Sequence, residues 1–225
     1  MKTYTYFSQA IMDSATREVV GYELLLRLWQ AQQKQWCLPK DFEITVKKQM
    51  RMMQAVLQTL PVKNVSINLT ARQFASPNTM QQLIAFTHST PALHQLMIEL
   101  TQAPTLAEVL SIGQQYRQAG ISVALDDVGT EITDAALVRQ LAPHVDMLKY
   151  ALQNLRANGQ AAKAQAQIKY WQQLALAAGT DFTLEGLESS ADVQLASRLG
   201  IKWTQGFYFN KPSAPLQTSL NTPLY

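Results

Sequence analysis

Acidic and amide side chains recur in this sequence at the ends of short hydrophobic segments. Two examples are the glutamate of GYELLLR (residues 21–27) and the paired aspartates of VALDD (residues 123–127). Burying an unpaired carboxylate is costly, so many independent burials of this kind are improbable. We therefore expect the side chains to meet at one site, and the set comprises Glu23, Asn68, Glu99, Asp126, Asp127, Lys149, Glu185 and Gln205.

Carboxylates held this close together repel one another unless cations neutralise them. The chain has one cysteine and three histidines, which show no ligand spacing, so an oxygen-rich site favours the hard ions Mg²⁺ or Mn²⁺ over zinc. Two such ions bridged by an aspartate would hold a phosphodiester and lower the pKa of an attacking water. A lysine at the same place would orient that water and offset the charge of the transition state.

Short β-like segments alternate along the chain with longer segments of helical periodicity. The predicted strands are residues 4–10, 19–26, 64–69, 96–101, 122–127, 146–151, 181–185 and 203–209. The predicted helices are residues 42–60, 79–87, 105–119, 134–141, 160–178 and 191–199. Gly120, Gly179 and Gly200 stand where three of these helices would end. Glutamine-rich stretches at 30–35 and 160–173 are typical of solvated helix faces.

Eight strands with intervening helices predict the α/β class and a modified (β/α)8 barrel similar to a TIM barrel, formed by a single domain over residues 1–225. Only a short turn, residues 13–18, separates the first two strands, so we expect the first strand to run antiparallel to the rest. A doubly wound sheet is the alternative, although no Gly-rich phosphate loop follows an early strand. A barrel would bring the polar strand ends to one mouth.

The composition is that of a globular protein, with 47% hydrophobic and 16% charged residues. A formal net charge of +3 is too small for a dedicated binder of DNA or RNA polymers. The lone cysteine, Cys37, can form no internal disulfide, which fits a reducing compartment. No segment approaches the length of a membrane span, and the N-terminus lacks a signal-peptide pattern. We therefore expect a cytoplasmic protein with no membrane partner.

The strand-end motifs closely resemble those of the EAL family of cyclic di-GMP phosphodiesterases, and the resemblance extends from residue 6 to residue 212. The matching strings are GYELLLR (21–27), SINLTARQF (66–74), IELT (98–101), LDDVGT (125–130), VDMLK (145–149), LEGLES (184–189) and QGFYFNKP (205–212). Seven matches in order, each at a successive strand end, form a specific signature. The resemblance implies hydrolysis of cyclic di-GMP to linear diguanylate.

The resemblance also assigns roles by position. It implies two Mg²⁺ or Mn²⁺ ions, the first held by Glu23, Asn68, Glu99 and Asp126, and the second held by Asp126, Asp127 and Glu185. The implied catalytic positions are Lys149 at the hydrolytic water, Gln205 supporting a coordinated water, and Glu188 in a supporting place. Arg27 is similar to the family arginine that contacts the substrate phosphate, and Leu25 takes the place of the motif leucine beside it.

The sequence departs from the family pattern around these ligands. The loop usually written DDFGTGYSS is DDVGTEITD here (126–134), and the glutamate with which it usually interacts is Gln102. In family members this loop orders the metal site and couples it to dimerisation. The family has an aspartate two places after the lysine, where this chain has Ala151. It also has an acidic residue in the segment after Phe42, where this chain has Lys47. Changes around metal ligands commonly cost ~10–100-fold in affinity or activity, so weakened catalysis is implied.

Simpler interpretations exist for the same residues taken singly. Asp126 and Asp127 could cap a helix, Glu23 and Arg27 could form a structural ion pair, and a single lysine is usually a solvated surface residue.

Two further functions stay open: a catalytically silent receptor for cyclic di-GMP, or a protein-interaction module. The sequence contains no second signalling domain or sensor segment, so we expect a homodimer or a separate signalling protein to supply the control.

Overall fold

The computed structural model describes residues 2–215 as a closed barrel surrounded by helices. Its strands are β1 (Tyr4–Asp13), β2 (Val19–Gln30), β3 (Gln35–Cys37), β4 (Asn64–Asn68), β5 (Gln95–Leu100), β6 (Ile121–Leu125), β7 (Met147–Ala151), β8 (Asp181–Glu185) and β9 (Trp203–Gln205). The sheet order is β1-β9-β8-β7-β6-β5-β4-β2-β3, and β1 also pairs with β2. Eight strands therefore form a closed ring, with β3 attached outside it. The expected domain span of 1–225 reaches beyond the described residues at both ends.

The helices connect successive strands on the outside of the ring. They are α1 (Val46–Leu57), α2 (Ala71–Phe74), α3 (Pro77–Ser89), α4 (Leu106–Glu108), α5 (Gln114–Gln118), α6 (Ala135–Leu141), α7 (Leu152–Ala157), α8 (Ala164–Ala178) and α9 (Ser190–Arg198). A π-helical turn, Val109–Gly113, joins α4 to α5. Within residues 2–215, the helices lack the length and the continuous apolar character that a bilayer crossing requires.

The first strand runs against the others, as the sequence predicted. β1 pairs antiparallel with both β2 and β9, whereas the remaining neighbours in the ring, from β2 to β9, pair in parallel. The reversal occurs in a tight turn in which the Asp13 carboxylate accepts the N–H groups of Ala15 and Thr16 at 2.8 and 3.0 Å. Too short for a helical crossover, this turn allows only an antiparallel neighbour. The prediction of a modified TIM-like barrel is confirmed.

Alternation along the strands separates the core from the site. Ile67, Ile98, Val123, Leu148 and Leu184 are fully buried in the hydrophobic core. Successive side chains on a strand point to opposite faces. The neighbours of these core residues along each strand therefore face the barrel interior. Those interior residues include the predicted polar set, so packing of the apolar face against the helices also fixes where the polar face points.

One glutamine-rich stretch was wrongly predicted to be helical. β2 continues to Gln30 and pairs with β3, and residues 31–34 form the turn between them. Aromatic packing stabilises this hairpin, since the Trp36 ring lies 5.3 Å from that of Trp29 and 6.2 Å from that of Phe7. The polar composition of the turn did not indicate the two flanking strand segments, which are stabilised by contacts of their tryptophans.

Other element boundaries also differ from the prediction. The last strand ends at Gln205 instead of residue 209 because the chain bends at Gly206, after which the Tyr208 N–H donates to the Leu187 carbonyl at 2.8 Å. Helices α2 and α7 were not predicted, and α1 begins at Val46. The three glycines predicted to follow helices do so, each with a positive φ.

The seam between β6 and β7 depends on one side chain. These strands pair over two residue pairs, Ala124 with Met147 and Leu125 with Leu148. Asp146 extends the seam, because its carboxylate accepts the Val123 N–H at 2.8 Å and the Arg117 Nε–H at 3.0 Å. We expect Asp146→Ala to lower the free energy of unfolding by about 1–3 kcal/mol, since it leaves a backbone donor without its partner.

Thermal and urea unfolding would measure this effect. Asp181→Ala is the matched control, because Asp181 is exposed at the start of β8 and only its backbone N–H bonds to Asp146. Equal stability of the two variants would contradict the role given to the Asp146 carboxylate.

Candidate metal centre

Strand register brings the predicted polar residues side by side at the C-terminal ends of the strands. Asn68 pairs with Glu99 across β4 and β5, and Ala151 pairs with Glu185 across β7 and β8. Asp126 follows β6 directly, and its N–H donates to the Leu100 carbonyl at 2.8 Å. The ends of successive strands thus converge on one mouth of the barrel.

Lys149 lies at the centre of this convergence with only 1% of its side chain exposed. Its Nζ atom is 2.6 Å from Glu99 Oε2 and 2.6 Å from Glu185 Oε1. Asp126 Oδ1 and Glu23 Oε2 lie farther away, at 3.6 and 3.9 Å. The structure therefore excludes the simple interpretation of Lys149 as a solvated surface residue.

Amide side chains hold Glu23 from two sides. Asn68 Nδ2 donates to Glu23 Oε1 at 3.0 Å, and Gln205 Nε2 donates to Glu23 Oε2 at 2.6 Å. Gln205 also contacts Gln9 Oε1 at 3.2 Å, while Gln9 Nε2 donates to the Asn210 carbonyl. Sequence reasoning missed Gln9, although its position on β1 opposite Glu23 in the register would have indicated it once β1 was known to be antiparallel.

The loop after β6 places the two aspartates. Asp127 has a positive φ of 52°, an unusual conformation for a residue other than glycine. Its carbonyl accepts N–H groups from Thr130, Glu131 and Ile132. Its own N–H donates to Asp126 Oδ1 at 3.0 Å, so backbone and side chains together form a compact turn.

Burial dominates the protonation of the carboxylates. It raises the pKa of Glu99 to about 8 and that of Glu185 well above its usual range, although Lys149 partly opposes both shifts. Burial and the neighbouring Asp126 raise the pKa of Asp127 to about 7. The pKa of Asp126 is also raised by burial. Without additional positive charge, this cluster therefore tends to retain protons near neutral pH.

Two groups in the cluster are held in their charged forms. Burial alone would lower the pKa of Lys149, but the surrounding carboxylates raise it well above its usual value. Burial would likewise raise the pKa of Glu23, but Lys149, Gln205 and Asn68 lower it overall. Lys149 is therefore an ammonium at neutral pH, and Glu23 is a carboxylate.

The oxygen atoms at the mouth fit a metal ion. One carboxylate oxygen each from Asp126, Asp127 and Glu185 lies within 4.8 Å of the others. Glu99 Oε1 is buried and accepts no hydrogen bond from any described residue. A buried carboxylate oxygen without a donor is costly, and a cation would satisfy it. Five carboxyl groups beside one ammonium carry an excess of negative charge once they are ionised, so the cluster can hold metal in place of those protons.

A cavity of about 570 Å³ opens directly above these residues. Leu25 and Arg27 of β2 line it together with Glu23, and Leu24 and Leu26 of the same strand also reach its wall. Arg27 Nη1 donates to the Leu26 carbonyl at 2.9 Å, and the guanidinium lies 5.5 Å from the centre of the Phe7 ring. The volume is in the range typical of small-molecule sites.

Glu188 does not join the carboxylate cluster. Its side chain is 51% exposed at the cavity edge and lies 3.7 Å from Arg156 Nη1. Arg156 also donates to the Gly186 carbonyl at 3.2 Å and pairs with Asp192. This ion-pair network supports the segment that follows Glu185. Arg156 lies on α7, which was not predicted, so the sequence carried no signal that it would reach this loop.

The departures from the family motifs occupy defined places. Val128 and Ile132 are buried and form an isolated bridge, which closes the loop internally. Ala151 is buried at the end of β7, and Gln102 lines the cavity. Glu131 is exposed, and its charge contributes to the raised pKa of Asp127. The loop after β6 is thus packed internally and carries the carboxylate of Glu131 on its exposed side.

Comparison with known proteins gives relatives that extend well beyond this chain. YkuI of Bacillus subtilis, an EAL-domain protein, is 24% identical over 92% of this chain and 54% of its own length. The probable cyclic di-GMP phosphodiesterase PdeD of Escherichia coli is 21% identical over 93% of this chain and 41% of its own length. The chain therefore spans about half the length of these relatives.

Solved structures share the fold. YkuI, solved with cyclic di-GMP and calcium, superposes with a TM-score of 0.74 at 22% identity, covering 94% of this chain and 56% of YkuI. BlrP1 of Klebsiella pneumoniae, solved with manganese and cyclic di-GMP, has a TM-score of 0.73 at 19% identity, covering 93% of this chain and 56% of BlrP1. The family model described as the EAL domain matches residues 2–212. This chain belongs to the EAL domain family.

Proposed function

We propose that this protein hydrolyses one phosphodiester bond of cyclic di-GMP to give linear diguanylate, with two Mg²⁺ or Mn²⁺ ions. The observation that carries the proposal is the convergence of five carboxylates and Lys149 beneath a cavity of about 570 Å³. Membership of the EAL family and relatives named as cyclic di-GMP phosphodiesterases support the choice of substrate.

Glu23, Asn68, Glu99 and Asp126 would hold one ion, and Asp126, Asp127 and Glu185 would hold the other. Support for a shared aspartate comes from Asp126, which lies near Lys149 on one side and belongs to the compact group of three carboxylates on the other. When bound, the ions would polarise the phosphodiester and acidify a water. Calcium and manganese in the YkuI and BlrP1 structures support divalent cations as a class.

Lys149 would orient the attacking water and offset negative charge on the phosphorus centre. The surrounding carboxylates raise the pKa of Lys149, and we assign its ammonium group the orientation of the water and the stabilisation of charge rather than proton abstraction. Its contacts at 2.6 Å with two carboxylates fix the direction of the ammonium group. Gln205, buried and hydrogen-bonded to Glu23, would support a second water.

The cavity walls suit a flat, anionic substrate. Arg27 would contact a phosphate of cyclic di-GMP, and its position over Phe7 holds the guanidinium at the wall. Leu25, Phe42 and Phe207 line the same cavity, and Phe42 and Phe207 are largely exposed. Aromatic side chains in such positions stack on bases. Glu188 would act indirectly through Arg156 and the segment after Glu185.

In the reaction, the water oxygen forms a bond to phosphorus while one ester P–O bond breaks. One proton passes from the water, and the departing ribose oxygen gains one, so the ring opens with consumption of a single water.

A receptor that binds cyclic di-GMP without hydrolysis is the second candidate function. Glu131 favours it, because added negative charge beside Asp127 favours the protonated carboxyl, which binds metal poorly.

Association with a second copy or with a separate signalling protein stays a prediction. Size-exclusion chromatography with light scattering, with and without cyclic di-GMP, would measure the oligomeric state.

Glu23→Gln tests the proposed hydrolysis. We expect the wild type to convert cyclic di-GMP to linear diguanylate with Mn²⁺ or Mg²⁺, and the variant to lose at least about 100-fold in rate, because a charged ligand becomes a neutral amide. Chromatography of the reaction products gives both rates. Glu18→Gln is the matched control, since Glu18 is exposed in the turn before β2.

Three outcomes separate the functions. Product from the wild type and the control alone supports the enzyme. Binding of cyclic di-GMP by calorimetry without product would favour the receptor, whereas neither binding nor product would favour an interaction module.

Metal binding should depend on pH. Because the pKa of Asp127 is raised to about 7 and that of Glu99 to about 8, protons compete with the ions below these values. We expect Mn²⁺ affinity to increase between about pH 6 and pH 8, with net proton release on binding. Calorimetry in buffers of different ionisation enthalpy would measure both. Affinity independent of pH over this range would show that the carboxylates are already ionised.

A further inference from the structure

Asn154 lies on α7, five residues after Lys149, and its side chain is half-buried beside the loop that carries Asp127. Its Nδ2 atom donates to Asp127 Oδ1 at 2.9 Å and to Thr130 Oγ1 at 3.3 Å. One amide group therefore joins a carboxylate of the metal centre to the far side of its own loop.

The acceptors determine which way this amide points. Thr130 Oγ1 donates its hydrogen to the Asp127 carbonyl at 3.1 Å, so the hydroxyl oxygen is free to accept from Asn154. An ionised Asp127 carboxylate has no hydrogen to donate and requires a donor. Both contacts therefore require the NH₂ group of Asn154, and its two hydrogens match the two acceptors.

Asp127 needs such a donor because its surroundings repel it. Asp126 and Glu131 disfavour the ionised form of this carboxylate, and its backbone has a positive φ. The Thr130, Glu131 and Ile132 amides hold its carbonyl but leave the side chain free to turn away. Asn154 offsets part of this repulsion without adding a charge, which a lysine or arginine would bring to the cluster.

We propose that Asn154 is a positioning residue for the metal centre, which holds the Asp127 carboxylate in the direction that lets it share an ion with Asp126 and Glu185. The inference rests on the proposed function, because it assumes that these three carboxylates bind a divalent ion. It assigns to α7 a role beyond connecting β7 to β8.

Asn154→Leu tests the inference, because leucine has a similar volume and no donor. The matched control is Asn158→Leu, because Asn158 is exposed in the turn directly after the same helix. Mn²⁺ titration followed by electron paramagnetic resonance counts the ions and measures their affinities. We expect the wild type and the control to bind two ions, and Asn154→Leu to lose about 10–100-fold in affinity for one of them.

A second measurement needs no metal. Hydrogen exchange of the metal-free protein reports the amides of Thr130, Glu131 and Ile132, which bond to the Asp127 carbonyl. We expect faster exchange of these three amides in Asn154→Leu, with unchanged exchange in the central strands. The control variant should match the wild type throughout.

The outcomes separate this inference from the proposed function. Mn²⁺ affinities in Asn154→Leu equal to those of the wild type would overturn the positioning role and leave the metal centre intact. Equal weakening of both ions, with a lower melting temperature, would also overturn it, because general destabilisation would then explain the loss. A wild type that binds no Mn²⁺ would overturn the proposed function together with the inference.

Discussion

Burial of four carboxylates around one ammonium group, with a fifth carboxylate half-buried beside them, is the constraint on which the rest of the site depends. Lys149 is almost completely enclosed, and its Nζ contacts Glu99 and Glu185 at 2.6 Å. Desolvation of so much charge opposes folding, and a single lysine cannot offset it. The raised pKa values of Glu99 and Asp127 express that shortage. The site lacks enough positive charge to balance its carboxylates, so it can bind cations.

The barrel tolerates this charge because neutral amides hold the carboxylates at the periphery. Asn68 and Gln205 donate to Glu23, and Gln9 orients Gln205 from the antiparallel strand β1. The reversed direction of β1 is thus more than a variation of topology. It brings Gln9 opposite Glu23 in the register and lets the first and last strands of the ring meet beside the cluster.

The loop after β6 combines internal packing with a charged outer face beside the carboxylate cluster. Val128 and Ile132 pack inside the loop, while Glu131 points outward and adds negative charge near Asp127. On the opposite side, Asn154 donates to Asp127. Repulsion from Glu131 and hydrogen bonding from Asn154 therefore act on the same carboxylate from two sides of the loop.

The sequence by itself determined the barrel and the set of converging residues. Period-two alternation puts apolar and polar residues on opposite faces of each strand, and the short turn at residues 13–18 leaves only an antiparallel first strand. Both are local properties, and the predicted barrel with its antiparallel first strand is confirmed. The strand-end motifs also led to the EAL family without any coordinates. The hairpin to β3 and helix α7 escaped detection, because their stability comes from contacts with distant residues such as Phe7 and the loop at Asp127. Only the tertiary structure decided that Lys149 contacts four carboxylates, that Glu188 stays outside the cluster beside Arg156, and that Gln9 and Asn154 join the site. Such contacts depend on the closure of the ring and on side-chain directions, which no spacing along the chain encodes.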